Sequence, residues 1–283
     1  MRKIDLAHDL EAAWRFMREF GIRGLIIFYR YSLARYGLGN AMQEIAIPGA
    51  LGAIKLRTNT TDPEVFYEVF GKRAHELQRL QEVYERIVAN GECPLIIDCG
   101  ANIGITAIWY ALNYPKARIY SIEPDSGNFS VLKANAGAYS NIVPLHAAIW
   151  NRSTRLAIVD KSAPAWAVRV DEVRGGAIGA LTVADVLRLA GATKIFLIKI
   201  DIEGAEQALF RDNIDWLAST AVIAIELHDW MLPGQGSSRN FLTALAQHPF
   251  ELLLRGETIF CVRTTPQPSA EIPDRQLLAP TNS

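Results

Sequence analysis

Seven side chains of this 283-residue chain combine the types and spacing that chemistry needs: Asp98, Glu123, Asp201, Glu203, Glu206, Glu226 and His228. They cluster just past four apolar runs of the kind buried strands require. Leu95-Ile96-Ile97 leads to Asp98, Ala117 to Ile122 leads to Glu123, Ile195 to Ile200 leads to Asp201, and Ala221 to Ile225 leads to Glu226. Buried strands do not finish in acid-rich turns for the sake of packing, because a carboxylate there must be paired, hydrogen-bonded or used. In a parallel sheet these strand ends share one edge, so the seven groups are expected to face one crevice. A plainer reading exists for some of them singly. Glu203 and Glu206 could merely favour a helix N-terminus through its dipole, and a lone histidine is often a satisfied core residue. The grouping is what points to a pocket.

The first acid pair frames a glycine turn. Cys99-Gly100-Ala101-Asn102-Ile103-Gly104 leads from the strand ending at Asp98 into a helix expected from Ile105 to Leu112. Gly100 and Gly104 lack side chains where a ligand would come close, and the free N–H groups of the helix start face the same spot. Glu123 stands about 20 residues beyond the last glycine, the offset at which a carboxylate takes both ribose hydroxyls of a nucleoside. A dinucleotide pyrophosphate needs Gly-x-Gly-x-x-Gly, but Asn102 occupies the middle position. A nucleoside cofactor without phosphates, such as S-adenosylmethionine, needs only the ribose acid, a small-residue turn and a polar group for its amino-acid end. Asp98 and Asn102 supply the last. Pro124, after the ribose acid, and Ala148, past the third strand, complete the expected cofactor set with Gly100, Ala101 and Gly104.

The elements around these residues must form a parallel sheet. Strand, helix, strand, helix, strand is read from Leu95 to Ala147, with a helix from Ser126 to about Gly137. A hairpin is expected between Thr154 and Val170 around Ser162-Ala163-Pro164, then a helix from Thr182 to Ala190. Another helix is expected to open at Asp201, a further one runs from Asn240 to Gln247, and an antiparallel pair follows, Phe250 to Leu254 with Thr258 to Val262. Upstream, a helical region to about residue 37 breaks at Gly21 and Gly24, and a hairpin flanks Pro48-Gly49-Ala50-Leu51-Gly52. A long helix from Asp62 to Ala89 then leads into the central strand. The expected division is an extension over residues 1–90, a cofactor-binding domain over 91–265 and a Pro-rich tail over 266–283 that is expected to be mobile.

Net charge is −1 and Lys and Arg are dispersed, so nucleic acid is not an expected partner. Three cysteines without C-x-x-C spacing argue against disulfides or zinc and fit a reducing, cytoplasmic setting. Neither a signal-peptide pattern nor an apolar run of about 20 residues is present. Arginines among the N-terminal aromatics fit helices packed on their own domain or on a second subunit, the preferred reading, and also helices lying on an anionic membrane surface.

Ile97-Asp98-Cys99-Gly100-Ala101-Asn102-Ile103-Gly104 and Ile198-Lys199-Ile200-Asp201-Ile202-Glu203-Gly204-Ala205-Glu206 resemble the two signatures of the FkbM-type S-adenosylmethionine-dependent methyltransferases. Glu123-Pro124-Asp125 and Glu226-Leu227-His228 follow the same pattern, and the likeness runs from about Leu95 to Val262. The chain departs from it at Val183-Ala184-Asp185, where the family often has Leu-Asp-Asp, and at Phe210-Arg211-Asp212 in place of Leu-Arg-Gly. The resemblance implies a doubly wound, Rossmann-like α/β fold with a seven-stranded sheet, and methyl transfer from S-adenosyl-L-methionine to oxygen. Sugars, glycolipids, polysaccharide precursors or related natural products are the implied acceptors. An unactivated hydroxyl must lose its proton as the new bond forms, so a base is expected. His228 is the first candidate because its ordinary pKa suits neutral pH, with Glu226 or Asp229 to orient it; Asp201 is the second, and Glu203 belongs to the same catalytic group. Asp201, Glu203, Glu226 and His228 would also suit Mg²⁺ or Mn²⁺, but base catalysis without a metal is the preferred expectation. The rival classes are a nicotinamide oxidoreductase and a catalytically silent binding module of the same fold.

Overall fold

A computed structural model of the chain describes residues 5–158, 170–173, 175–231 and 233–264. The first two helices, α1 (Leu6–Phe20) and α2 (Arg23–Tyr36), part at Gly21, whose φ of 59° suits glycine. They bury Phe16, Ile27 and Tyr31 but leave Leu6, Leu10, Trp14, Ile22, Ile26 and Tyr29 exposed. No helix among the described residues is long and apolar enough to cross a membrane. Strands β1 (Met42–Ile45) and β2 (Ile54–Arg57) form the antiparallel hairpin that the Pro-Gly turn calls for.

The helix expected from Asp62 to Ala89 is broken. Helix α3 (Asp62–Phe66) passes into a π-helical turn at Tyr67–Gly71, residues 72–77 leave the helix, and α4 (Gln78–Ala89) resumes. The apolar period runs on through the gap, which is why the sequence reads as one helix. At the break, Gly71 lies so close to the Tyr67 ring that a Cβ would meet it at 2.4 Å, and Arg73 adopts φ 54°. The gap turns His75 into the interior.

The rest alternates as a doubly wound fold should: β3 (Leu95–Cys99), α5 (Ile105–Asn113), β4 (Arg118–Glu123), α6 (Ser126–Ala136), β5 (Ile142–His146) and the short β6 (Ala148–Ile149). An insertion follows, β7 (Arg155–Ile158), β8 (Val170–Glu172) and β9 (Ile178–Leu181), and then α7 (Val183–Ala190), whose N-cap Thr182 and Asp185 form a capping box. Next come β10 (Ile195–Ile200), α8 (Glu206–Leu209), β11 (Thr220–Glu226), α9 (Arg239–Leu245), β12 (Phe250–Arg255) and β13 (Thr258–Arg263). The arms of the expected insertion hairpin, β7 and β8, pair antiparallel, while its tip at residues 159–169 and the Pro-rich tail lie outside the described residues.

Seven strands make the central sheet in the order β12-β13-β11-β10-β3-β4-β5, all running the same way except β13, which is antiparallel to both its neighbours. The chain leaves β3 toward β5 on one side and returns on the other through β10 and β11. Strand order therefore reverses between β3 and β10, and a ligand crevice opens beyond their carboxyl ends. One apolar cluster joins Phe16, Tyr31 and Phe66 of the N-terminal region to Ile96, Phe196, Val222 and Phe260 of the sheet. The opposite face packs on Val186, Trp216 and Phe241. The described part of the N-terminal region, residues 5–90, thus shares a core with the sheet, and this sharing brings it to the crevice.

Candidate active site

At that crevice lies a cavity of about 1110 Å³, lined by Gly100, Ala101, Asn102, Glu123, Pro124 and Ala148 on one side and by Asp201, Glu203, Glu226 and His228 on the other. Two sequence expectations change here. Asp98 is fully buried behind this lining, and among the described residues neither of its carboxylate oxygens has a hydrogen bond. The sheet register pairs it with Lys199, whose Nζ lies 3.6 Å away. Lys199 in turn donates to the Gly100 carbonyl at 2.9 Å and lies 3.1 Å from Asp201. Asp98 therefore anchors the lysine that ties the glycine loop to β10. Burial pushes the Asp98 carboxyl up; it would lower Lys199 too, but Asp201 and Asp98 outweigh it and hold that ammonium above its usual range.

The glycines also serve the fold first. Gly100 and Gly104 have φ of 78° and 83°. A Cβ on Gly100 would meet the Asp201 carbonyl oxygen at 1.8 Å, and one on Gly104 would meet the Leu132 side chain at 2.5 Å. The close approaches their missing side chains permit include ones to the protein's own backbone and core, and Gly100 also lines the cavity.

Glu123 matches its expectation of place. It is 4% exposed and lines the cavity. Its Oε2 accepts the Asn102 N–H at 2.8 Å, and its Oε1 accepts the Asp125 N–H at 2.9 Å and the Asn128 amide at 3.4 Å. Burial pushes its carboxyl up to about 7 against the lowering effect of those bonds. Arg57 reaches across from β2 to bind both Asp62 and Asn128, so the N-terminal hairpin braces this corner. Asp125 caps α6 by accepting from the Asn128 N–H. A carboxylate offers about four lone-pair positions and three are taken, so Glu123 keeps capacity for a hydroxyl donor. The Asn102 Oδ1 is buried without a partner among the described residues, and apolar Ile122, Ala148 and Ile149 line the same end. An acid at the strand end, an orphaned amide oxygen and an apolar wall fit a nucleoside cofactor.

The other side is built differently. His228 is 5% exposed; its Nδ1 lies 2.9 Å from Glu206 Oε1, and its Nε2 lies 3.4 Å from Glu203 Oε2 and 3.6 Å from Asp201 Oδ1. Burial would lower the imidazole, but Glu206, Glu203 and Asp201 outweigh it and push it up to about 9. The expectation of an ordinary histidine poised near neutrality is not met. Nor is it oriented by Glu226 or Asp229. Glu206 does that, while Glu226 accepts from the Thr258 hydroxyl at 2.9 Å and Asp229 accepts from the Ser238 N–H. Burial and the Asp201 charge push Glu203 up to about 8 and Glu226 up to about 7. The helix expected to open at Asp201 starts only at Glu206, after a turn in which Glu203 takes φ 55°, so a helix dipole does not account for Glu203.

The N-terminal region supplies residues that sequence reasoning missed. Arg15, Glu68, Lys72 and His75 line the cavity, together with Trp230 and Arg255. Burial, assisted by Lys199, lowers His75 to about 3, so it is neutral, with its Nε2 3.4 Å from the Thr106 hydroxyl. Its only sequence signal was Gly71, the residue where the long helix breaks.

The family described as Methyltransferase FkbM domain matches residues 98–252. No curated protein matches the chain. Among solved structures, the chain is similar to the O-methyltransferase from Bacillus cereus in complex with SAH, at 12% identity over 71% of this chain and 90% of that one, TM-score 0.39. A putative O-methyltransferase from Klebsiella pneumoniae aligns at 14% identity over 68% and 86%, TM-score 0.38. Aeropyrum pernix fibrillarin with natively bound S-adenosyl-L-methionine aligns at 14% identity over 60% and 67%, TM-score 0.37.

Proposed function

The chain belongs to the FkbM methyltransferase family, and we propose that it is an O-methyltransferase acting on a hydroxyl of a sugar, glycolipid, polysaccharide precursor or related natural product. Membership makes S-adenosyl-L-methionine the cofactor and sets aside the nicotinamide oxidoreductase. When bound, the cofactor supplies an electrophilic methyl on a sulfonium, open to in-line attack by an oxygen. The observation that carries the acceptor reading is that Asp201, Glu203, Glu226 and His228 line the same cavity as Glu123.

Glu123 would accept from a ribose hydroxyl and Asn102 would offer its orphaned amide oxygen to a cofactor donor, while Asp98 holds Lys199 and through it the loop. On the acceptor side, both nitrogens of His228 already face carboxylates, so the ring is spoken for and the proton of the acceptor hydroxyl goes elsewhere. Glu226 takes it. One of its oxygens is fixed by Thr258, which leaves the other to the cavity, and removal of a proton by a positioned carboxylate is ordinary general-base chemistry. Asp201 and Glu203 face neighbouring hydroxyls and set the acceptor's orientation, and His228 holds the two carboxylates in place. The burial of Glu203 and His228 limits the water near the reacting atoms.

Unpaired Cys93, Cys99 and Cys261 support a reducing cytoplasmic setting. The exposed apolar side chains of α1 and α2 support contact with a second subunit or an anionic membrane surface. The function is tested by mass spectrometry of glycans and lipids from cells with and without the gene. A species heavier by one methylene, methylated on oxygen and present only with the gene, is expected; identical profiles, or a methyl on nitrogen or carbon, would contradict the reading.

A further inference from the structure

We propose that Asp201, Glu203 and His228 form a binding site for one divalent cation of the Mn²⁺ and Mg²⁺ class, which presents its open positions to oxygens of the acceptor. The inference deepens the reading of a hydroxyl acceptor and rests on it for the cation's role, though not for the site itself.

Each of the three residues offers a ligand atom within 4.8 Å of the other two. The His228 Nε2 stands 3.4 Å from Glu203 and 3.6 Å from Asp201. Around an octahedral cation with bonds of about 2.1 Å, adjacent ligand atoms are about 3 Å apart and opposite ones about 4.2 Å. The two edges that meet at His228 therefore have the spacing of one face of such a shell, a few tenths of an ångström expanded, and the third, between Asp201 and Glu203, is no longer than 4.8 Å. Three positions remain on the cavity side for water or for vicinal hydroxyls.

Glu203 points independently to a ligand. It is 8% exposed, and its Oε2 is buried with no hydrogen-bond partner among the described residues, although the His228 Nε2 is its neighbour. A buried carboxylate oxygen left unbonded costs free energy that a cation would recover. His228 is backed in the manner of a ligating imidazole. Its Nδ1 faces Glu206 Oε1 at 2.9 Å, so a proton can stay between those atoms while the cation displaces the one on Nε2 and takes its lone pair, which faces the two carboxylates. The charge surroundings agree. Asp98, Asp201, Glu203, Glu206 and Glu226 crowd this strand edge, and Lys199 is the ammonium set among them. One imidazole with two carboxylates and further oxygens suits Mn²⁺ well and Mg²⁺ acceptably. Glu226, bonded to Thr258, stays outside the cation's shell and free for the acceptor's proton.

The test is a titration of the full chain, first stripped with EDTA, with MnCl2. Free Mn²⁺ is followed by its electron paramagnetic resonance signal, with and without S-adenosylhomocysteine, whose own binding is measured by calorimetry on the same samples. One Mn²⁺ per chain is expected in either case. Asp201→Asn and Glu203→Gln should each weaken it by more than the ~10- to 100-fold typical of losing an outer partner, Glu206→Gln should weaken it by about that amount, and Asp229→Asn should leave it unchanged. Melting curves establish that each variant is folded, and the wild-type titration stands even where a variant is not. If the wild-type chain retains no Mn²⁺ at millimolar concentration, or if folded Asp201→Asn and Glu203→Gln bind it as wild type does, the cation site is wrong. Should S-adenosylhomocysteine still bind in that case, the methyltransferase reading survives the loss of the cation.

Discussion

Glu123 and Glu203 are both strand-edge carboxylates at the same cavity, 4% and 8% exposed, yet their surroundings differ in kind. Glu123 is held by two backbone N–H groups and the Asn128 amide, so its geometry is fixed before any ligand arrives. Glu203 stands among Asp201, Glu206 and His228 with its Oε2 unbonded. The first region is a cradle completed by the fold, whereas the second is completed by what binds it. Such a division suits an enzyme that uses one cofactor with acceptors that vary, because preorganisation favours the constant ligand and unspent polar capacity serves the changing one.

The division can be broken by substitutions that should affect one side only. Glu226→Gln keeps the shape and an acceptor for the Thr258 hydroxyl, and should cut turnover about 10²- to 10⁴-fold while leaving cofactor affinity unchanged. Initial rates and calorimetry on the same preparation separate the two effects; undiminished turnover would move the base to another member of the cluster.

Gly100→Ala strikes the joint between the two regions. Its Cβ would run into the Asp201 carbonyl oxygen, and its φ of 78° is strained for alanine, so stability should fall by about 1 to 3 kcal/mol from the backbone alone and by more from the clash. Denaturant unfolding checks it. Weakened cofactor binding with unchanged stability would instead restore the glycine to a ligand-facing role.

A smaller effect comes from pH. Burial raises Glu123 from 4.5 to about 7, so the folded chain binds its proton more tightly than the unfolded one does. The stability this group contributes is complete below 4.5 and is lost as pH rises through about 7. Cofactor affinity should move the opposite way, rising through the same interval as the carboxylate ionises, because charge-assisted bonds to hydroxyls are the stronger ones. S-adenosylhomocysteine affinity measured across that interval should rise in wild type and stay flat in Glu123→Gln.

The same two regions differ in how far the sequence revealed them. Strand, glycine loop, helix and ribose acid lie within residues 95 to 123, where local periodicity and turn chemistry are enough to order them. The strand-end cluster was visible as a set of residue types, but its internal pairing was not. Glu206 faces His228 across 22 residues, and only the juxtaposition of β10 and β11 brings them together. Asp98 was expected to touch the cofactor because it ends a strand; the register of β3 on β10 sets it beside Lys199 instead. His75 was hidden because an apolar period continues across residues 72–77 while the backbone does not. Local signals locate elements, and side-chain partners follow from how those elements are brought together.

The most direct test of the divided cavity is a calorimetric titration of S-adenosylhomocysteine into wild type, Glu123→Ala and Glu226→Gln. Wild type and Glu226→Gln should bind one molecule per chain with the same affinity, and Glu123→Ala should lose about 3 kcal/mol, roughly 100-fold, for the charged hydrogen bond to ribose. Binding that survives Glu123→Ala but fails in Glu226→Gln would place the cofactor on the wrong side of the cavity and contradict the account.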